Sequence, residues 1–370
     1  MKILFIGGTG RLSSDVAKLA LEKNNDVYLL TRGSNNRKKF VDPRYKMIYG
    51  NIRDTEECKK KLKDFKFDVI IDFLTFNTEQ LENTLDVIKN HYKQYIFIST
   101  ATVYSKNNED EIISENKTIV GNKKWKYAYD KFLCEEKIKE YFSDNEEATY
   151  TIVRPYVTYN ETRIPYPIIP QNNMYEYSLI NRIINEKCIP IINNGDISTT
   201  ITNSKDFAKA VVGLLNNSSA YGEAFHITSN ENVTWENVID YIGQYYDKDV
   251  KKVNFSIDEF SNKYPEYRGI LEGDKGHSMK FDNSKIKKVV PDFECEVCLK
   301  DGIKKCIQFF EDNEEFKKID YYWDGKIDKI CNCKKEKEFS NKGSKIEYFC
   351  GYYGIPKKIY KIIRKIGGTK

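Results

Sequence analysis

The chain has 370 residues, 40% hydrophobic and 31% charged, which suits one large or two modest globular domains with ample core. A mean hydropathy of -0.63, with no apolar run near the roughly 18 residues of a span, excludes an integral membrane protein. The formal charge of +5 is unevenly placed: Lys334 to Lys370 holds eleven Lys/Arg against three Glu, so residues 1 to 333 carry −3 by difference, which argues against nucleic-acid binding by the whole surface.

The first half alternates short apolar runs with helical patterns, as a parallel sheet covered on both faces requires. Strands are expected at Ile3–Ile6, Val27–Leu30, Lys46–Tyr49, Val69–Asp72, Tyr95–Ile98 and Tyr150–Val153. Asp15–Lys23, Thr55–Lys63 and Thr78–Asn90 place apolar residues three and four apart, as covering helices should. Right-handed crossovers then give an α/β fold, a Rossmann-type doubly wound parallel sheet. From Arg163 to Pro170 three prolines forbid a central strand or helix. A helix over Tyr175–Glu186, a strand at Ile189–Ile192, a helix over Ser204–Leu215 and a strand at Ala224–Ile227 follow. The expected organisation is a dinucleotide-binding domain over 1–160 with parts of 195–230 returning to it, a smaller C-terminal substrate-binding lobe over 161–330, and a basic extension over 331–370.

The first strand runs straight into Gly7-Gly8-Thr9-Gly10-Arg11-Leu12-Ser13 and then a helix. Gly7 allows a tight turn, Gly10 lets the backbone approach a pyrophosphate, and the helix N-terminus offers N–H groups to the negative charge. Ser13 stands where a third glycine is expected, still small enough for close helix packing. The second strand ends Thr31-Arg32-Gly33 without the acid that accepts from an NAD ribose. Arg32, with Arg37, Lys38 and Lys39 nearby, would instead pair with a 2′-phosphate, so NADP is favoured over NAD.

After the fifth strand comes Ser99-Thr100-Ala101-Thr102, and further on Tyr127-Ala-Tyr-Asp-Lys131. A Tyr and Lys four apart lie on one helix face, so an ammonium near the phenol would favour phenolate and make Tyr127 a usable general acid/base. Thr100, at a strand end, would hydrogen-bond the same substrate oxygen. Alone this spacing is weak in a chain with 27 Tyr; its weight comes from the order of glycine turn, Ser-Thr and Tyr/Lys helix.

In this arrangement the sequence resembles the extended short-chain dehydrogenase/reductase superfamily, in its NAD-dependent epimerase/dehydratase branch. Further landmarks are Arg154-Pro155, Asp206-Phe-Ala-Lys-Ala210, Gly222 to Thr228, Phe281 to Lys285 and Pro291-Asp-Phe293. The resemblance, over roughly Lys2 to Asp328, implies that Thr100, Tyr127 and Lys131 are catalytic and that Lys131 also holds the nicotinamide ribose. It implies cofactor contacts from Gly7, Thr9, Gly10, Arg11, Leu12, Arg32, Asn51, Ile52, Phe73, Leu74 and Pro155. It implies hydride transfer between a substrate carbinol and the nicotinamide, and a homodimer through the Tyr/Lys helix.

Departures narrow the substrate. Relatives acting on nucleotide sugars have Asn two residues beyond the Arg-Pro pair, where this chain has Val157; Asn160 replaces a glycine. An arginine facing the diphosphate is missing, with Thr199 nearest its place, and another is replaced by Leu271-Glu272. Ala101-Thr102 stands where 4,6-dehydratases carry Asp-Glu. An epimerase or reductase of a less typical sugar-like alcohol or ketone is expected, with Arg163, Lys275 and His277 as replacement polar contacts to substrate.

Nine cysteines, odd in number and mostly within periodic segments, read as reduced. Neither Cys295-Glu-Val-Cys298 nor Cys331-Asn-Cys333 with Cys350 completes a tetrahedral set, so no metal is expected. The first residues enter a strand without a leader pattern, which points to the cytoplasm. Ile355, Ile359, Ile362, Ile363 and Ile366 form a stripe with cations opposite, so the segment 355–366 suits an anionic membrane surface, an acidic partner, or packing on its own domain. A dinucleotide-fold protein that binds RNA or a partner through this tail, without turnover, is the alternative to an enzyme, as in the related chloroplast stem-loop-binding proteins.

Overall fold

The computed structural model describes residues 1–33, 42–104, 111–117, 119–145 and 147–359. In chain order these form β1 (Lys2–Ile6), α1 (Ser13–Glu22), β2 (Asp26–Thr31), β3 (Lys46–Tyr49), α2 (Thr55–Leu62), β4 (Phe67–Asp72), α3 (Thr78–Ile88), β5 (Tyr92–Ile98), α4 (Lys126–Phe142) and β6 (Thr149–Pro155). Then come α5 (Tyr177–Ile184), β7 (Ile189–Ile192), α6 (Ser204–Gly213), β8 (Glu223–Ile227), α7 (Trp235–Tyr246), β9 (Lys252–Phe255), α8 (Ile257–Lys263), α9 (Ser284–Val289), α10 (Leu299–Asp312), α11 (Tyr321–Ile330) and α12 (Lys342–Tyr352).

Seven strands pair in the order β8-β6-β5-β4-β1-β2-β3, all parallel. Side chains alternate across the sheet. From β1, Ile3 and Phe5 join the helices α1 and α6 through Val16, Ala17, Phe207 and Val211. Leu4 and Ile6 point to the other face, against Leu62, Leu81, Leu85 and Ile138 of α2, α3 and α4. Both faces are therefore buried, which is why these strands read as continuous apolar runs. The strand order reverses between β1 and β4, and the carboxyl ends of these strands form the crevice where doubly wound sheets take ligands.

The chain divides into two compact units: residues 1–160, 199–232 and 278–298, and residues 161–198, 233–277 and from 299 on. This differs from a single lobe over 161–330 in one respect. Residues 278–298 return to the sheet unit, where Lys280–Phe281 pairs in parallel with Ile112–Ile113, Asn283 bonds Thr228, and Phe293 joins the core.

Nor is the chain beyond 331 a simple appendage. In the second unit α12 crosses α11 at two glycines: a Cβ on Gly325 would lie 2.1 Å from the Tyr348 carbonyl oxygen, and one on Gly351 2.0 Å from that of Tyr322. Tyr348 is fully buried and donates to Asp328 at 2.7 Å. The Ile355 carbonyl accepts from Tyr322, and Ile359 is exposed. Ile362, Ile363 and Ile366 lie outside the described residues, as do Arg37, Lys38 and Lys39. Among the described residues no helix is long and apolar enough to cross a membrane.

Candidate active site

The turn after β1 is built by contacts that exclude side chains. Gly7 has φ +90°, and a Cβ there would lie 2.6 Å from Leu74 Cγ; one on Gly8 would lie 2.5 Å from Leu29 Cδ2. Gly10 differs: its Cβ would meet only Ser13 Oγ at 3.0 Å and the Gly7 oxygen at 3.7 Å, so its outer face is open. Ser13, standing for the third glycine, closes the turn from inside. Its hydroxyl donates to the Gly7 carbonyl at 2.6 Å and accepts from the Gly10 N–H at 2.8 Å. Thr9, Arg11 and Leu12 lie on this turn, and Leu12 caps α1 without a side-chain hydrogen bond. By contrast α2 and α3 are capped by the Asp54 carboxylate and the Asn77 amide oxygen. An open glycine face before an uncapped ten-residue helix fits a dinucleotide pyrophosphate.

The neighbouring loops are tied to this turn. Asp72, fully buried at the end of β4, accepts from the N–H groups of Leu74 and Thr75, the Thr75 hydroxyl and the Tyr95 phenol. Those bonds shape the loop carrying Phe73, which stacks on Phe5, and Leu74, which covers Gly7. Arg53 reaches from the Asn51–Ile52 loop to the Leu74 carbonyl and to Gln80 Oε1 at 2.8 Å. Ile52 is buried, whereas Asn51 is exposed. Arg32 is exposed at the end of β2. Asp72 and Arg53 escaped the sequence reading because an acid at a strand end and an arginine in a loop are each ordinary; their roles exist only through these partners.

Thr100 lies two residues beyond β5, buried, with its Oγ1 3.1 Å from Thr102 Oγ1. Tyr127 and Lys131 lie one turn apart on α4. Asn122, just before α4, donates to the Thr102 carbonyl at 3.2 Å, fastening the approach to this helix onto the turn after Thr100. Tyr127 is half-buried and packs on Trp125, ring centroids 5.0 Å apart. Lys131 is 2% exposed. Its ammonium donates at 2.6 Å to both the Thr75 carbonyl after β4 and the Ile98 carbonyl ending β5, with the Phe97 and Phe76 rings 4.6 and 5.0 Å away. Burial lowers its pKa to about 8, against the pull of Asp72.

Beneath the trio lies a buried polar chain. The Arg154 guanidinium, on β6 just before Pro155, pairs with Glu135 of α4 through Nε at 3.0 Å and Nη2 at 2.6 Å. Glu135 also accepts from Ser99 at 2.5 Å, and Arg154 donates to the Tyr104 phenol at 2.8 Å. Tyr104 meets His226 Nδ1 at 3.3 Å, and the other ring nitrogen faces the Asp282 carbonyl at 2.7 Å. Burial lowers the His226 pKa to about 4. The signal was present: Glu135 follows Lys131 by one helical turn, and Arg154 belongs to the Arg-Pro landmark.

Arg163 and His277 belong to the second unit, and the trio to the first. The Arg163 carbonyl accepts from the Cys306 thiol at 3.3 Å. The His277 ring sits 3.1 Å from the Glu272 carbonyl, five residues back in its own segment, a structural bond for an imidazole. Lys275 is buried and pairs with Asp274 at 2.6 Å. All nine cysteines are free, and among the described residues no group of His, Cys, Asp and Glu is arranged to hold a metal ion.

Residues 3–228 match the model of the NAD dependent epimerase/dehydratase family. The chain belongs to that family. It is 25% identical over 253 residues to the chloroplast stem-loop binding protein of 41 kDa b of Arabidopsis thaliana, a match covering 64% of this chain and 60% of that protein. Over 77 residues it is 35% identical to the UDP-glucose 4-epimerase of Lactobacillus helveticus, covering 21% and 23% of the two chains. The chain thus spans less than two thirds of the length of these curated relatives. Its fold is that of the Bacillus cereus UDP-glucuronic acid 4-epimerase solved with NAD (TM-score 0.64, 18% identity, 84% of this chain and 100% of that one). It is equally that of the Thermus thermophilus UDP-glucose 4-epimerase solved with NAD (TM-score 0.68, 14% identity, 85% and 100%).

For this member of the epimerase/dehydratase family, the substituted positions are mostly occupied by packing. Val157 is buried, and its carbonyl accepts from the Thr202 N–H at 2.9 Å. Leu271 is fully buried, and Glu272 pairs with Arg268 at 2.5 Å. Thr199 and Thr200 are different, because both hydroxyls are buried with no hydrogen-bond partner among the described residues.

Proposed function

We propose that the chain is a nicotinamide-dinucleotide-dependent epimerase or reductase of a sugar-like alcohol or ketone, with Tyr127 as general acid/base. The observation that carries this reading is the position of the Lys131 ammonium. It bridges the ends of β4 and β5 through Thr75 and Ile98, in the crevice beside the glycine turn and one helical turn from Tyr127. Gly7 to Ser13 and the start of α1 would hold the pyrophosphate, with Asn51, Ile52, Phe73 and Leu74 on the adenosine side and Pro155 near the nicotinamide. Residues holding a nicotinamide there would give the site hydride transfer from the carbinol carbon, or back to a carbonyl, as the chemistry such a cofactor would supply. Tyr127 takes the hydroxyl proton or gives it back, Lys131 stabilises the phenolate, and Thr100 orients the substrate oxygen. Loss of the diphosphate-binding Asn and Arg positions points away from ordinary UDP- and dTDP-sugars, and Ala101-Thr102 away from 4,6-elimination. The bare hydroxyls of Thr199 and Thr200, in the same unit as Thr100, Tyr127 and Lys131, are the proposed polar contacts for a smaller substrate.

We take NADP to be preferred over NAD, because β2 ends in Arg32 without an acid. Calorimetric titration of the purified protein is expected to show tighter NADP than NAD binding. Arg32→Ala should weaken NADP about tenfold and leave NAD unchanged. Equal affinities in the parent protein would refute the preference, and no binding of either would refute the reading itself.

The lowered Lys131 pKa has consequences of opposite sign for catalysis and stability. Above about pH 8 the ammonium is lost, the phenolate loses its support, and kcat/KM is expected to fall. The buried charge is a folding penalty, present in full below pH 8 and relieved as pH rises toward the unfolded value of about 10.4. Relative to Lys131→Met, the parent protein should therefore gain stability over this window. A kcat/KM profile without an alkaline limb near pH 8 would exclude Lys131 as the titrating group.

The match to the Arabidopsis stem-loop binding protein favours a second reading, a fold that binds RNA through the basic tail without turnover. Salt-sensitive RNA binding lost on deleting residues 360–370, with no dinucleotide bound, would favour it over the enzyme. A homodimer through α4 and a cytoplasmic protein touching the membrane through 355–366 are proposals of the same standing, testable by light scattering and liposome sedimentation.

A further inference from the structure

Lys131 carries its charge in a dry place. The carbonyls that hold it, those of Thr75 and Ile98, are neutral. A buried ammonium without a counter-charge is costly and tends to lose its proton, so the charges around Lys131 decide whether it can serve Tyr127. On its own helix, burial raises the Cys134 thiol to about 12, which leaves it neutral at working pH. Glu135 is charged, but Arg154 answers it at 2.6 Å. Tyr127, one turn before, is the phenol that the ammonium serves.

From β4 comes Asp72, fully buried, whose charge favours the ammonium against the effect of burial. Its four hydrogen-bond donors carry no net charge. They are the N–H groups of Leu74 and Thr75, at 2.8 and 3.1 Å on Oδ1, and the hydroxyls of Thr75 and Tyr95, at 2.6 and 2.9 Å on Oδ2. Arg53 faces Asp72 from the loop after β3, but it is exposed and bonds to Gln80 and the Leu74 carbonyl instead.

The same bonds aim a carbonyl. Asp72 holds Thr75 at both its N–H and its hydroxyl, and that hydroxyl also lies 3.2 Å from Thr84 Oγ1. The peptide that follows is fixed at both ends. Its carbonyl, from Thr75, accepts from Lys131 at 2.6 Å, and its N–H, on Phe76, donates to Gln80 Oε1 at 2.9 Å. In a trans peptide these groups point in opposite directions, so fixing Thr75 fixes the direction of its carbonyl.

We propose that Asp72 is the positioning residue for Lys131: it holds Thr75 so that the carbonyl meets the ammonium, and it supplies the buried negative charge that answers it. This rests on the reading of Lys131 as the support of a Tyr127 phenolate. The part of Asp72 in the reaction is indirect, through Lys131. Asp72→Asn removes the charge and keeps the scaffold. The amide oxygen takes the place of Oδ1, accepting from the two N–H groups, and the amide nitrogen takes that of Oδ2. It donates to the two hydroxyls once they turn to accept, and the Thr75 proton then goes to Thr84.

The test is nuclear magnetic resonance of the full-length protein, isotope-labelled at the lysine ε-carbons, the Lys131 signal being the one missing from Lys131→Met. Its titration midpoint is expected at about 8 in the parent. In Asp72→Asn it should fall by about one pH unit, a roughly ten-fold weaker hold on the proton. Tyr95→Phe removes one bond to Asp72 and no charge, so there the midpoint should stay within about 0.3 units. A merely structural Asp72 would make the two variants alike. Turnover should follow the charge: kcat/KM of Asp72→Asn is expected about five-fold below the parent near pH 8 and within about 1.2-fold near pH 6, where both ammoniums are protonated. An unmoved midpoint in Asp72→Asn, or equal shifts in both variants, would overturn the proposal. So would a parent midpoint below about 6, the range of a buried lysine without a counter-charge, and that measurement requires no variant to fold. A shifted midpoint in a protein that turns over no substrate would remove the enzyme reading and leave the hold of Asp72 on Lys131 standing.

Discussion

Tyr127→Phe is expected to lower kcat by about 10²–10⁴-fold, the range lost with a general acid/base, while dinucleotide affinity stays within about twofold. That loss corresponds to roughly 3–5 kcal/mol of transition-state stabilisation. The substitution removes one hydroxyl and keeps the ring that packs on Trp125, so the start of α4 should keep its place. Lys131 is held by the Thr75 and Ile98 carbonyls, independently of the phenol, which is why cofactor binding should survive. The measurements are steady-state kinetics on the substrate found by screening sugar alcohols and ketones, and calorimetry with the preferred dinucleotide. Turnover within tenfold of the parent would remove Tyr127 from the role. Loss of turnover together with dinucleotide binding would show damage to the fold instead.

Glu135→Gln should carry the largest stability cost, about 3–5 kcal/mol, with a fall in Tm of about 5 °C. Glu135 and Arg154 side chains are 0% and 3% exposed, and removing the carboxylate charge leaves the guanidinium buried without a counter-ion. The amide keeps nearly the same shape, so a cavity contributes little and the loss reports charge. Adding Arg154→Met should restore part of the stability, since a buried pair replaced by apolar groups often costs little. Thermal unfolding of the parent, both single variants and the double variant gives the coupling energy directly. A loss under about 1 kcal/mol, typical of exposed pairs, would mean that the pair is solvated. Because Ser99 precedes Thr100 and Glu135 follows Lys131 by one turn, a fall in kcat is expected to accompany the lost stability.

The sheet was legible because both its faces are buried, so each strand announces itself as an apolar run. The misreadings fall where burial and polarity part company. β5 begins at Tyr92 and not Tyr95, since Lys93 and Gln94 look like loop. Gln94 is nevertheless buried, its amide satisfied by Thr151 Oγ1 and the Leu214 carbonyl. α7 opens with a capping box between Thr234 and Asn237, a local signal that was there to be used. α12 carries only an Asn N-cap, Asn341 accepting from the Ser344 N–H at 2.9 Å. Its apolar periodicity is weak, and it is held by glycine-to-backbone contact with α11, which only the partner helix reveals.

The sequence by itself determined the parallel α/β fold, the glycine turn and the family, and put forward Thr100, Tyr127 and Lys131 as candidates, because each is encoded locally by period, spacing or a short motif. The tertiary structure alone decided that Ser13 closes the glycine turn from within and that Lys131 joins the ends of two strands. It also decided that Arg154 answers Glu135 and that residues 278–298 return to the sheet. These depend on which side chains burial brings within hydrogen-bond reach. A buried charge or polar group must find a partner wherever the fold supplies one, and sequence distance gives no measure of that.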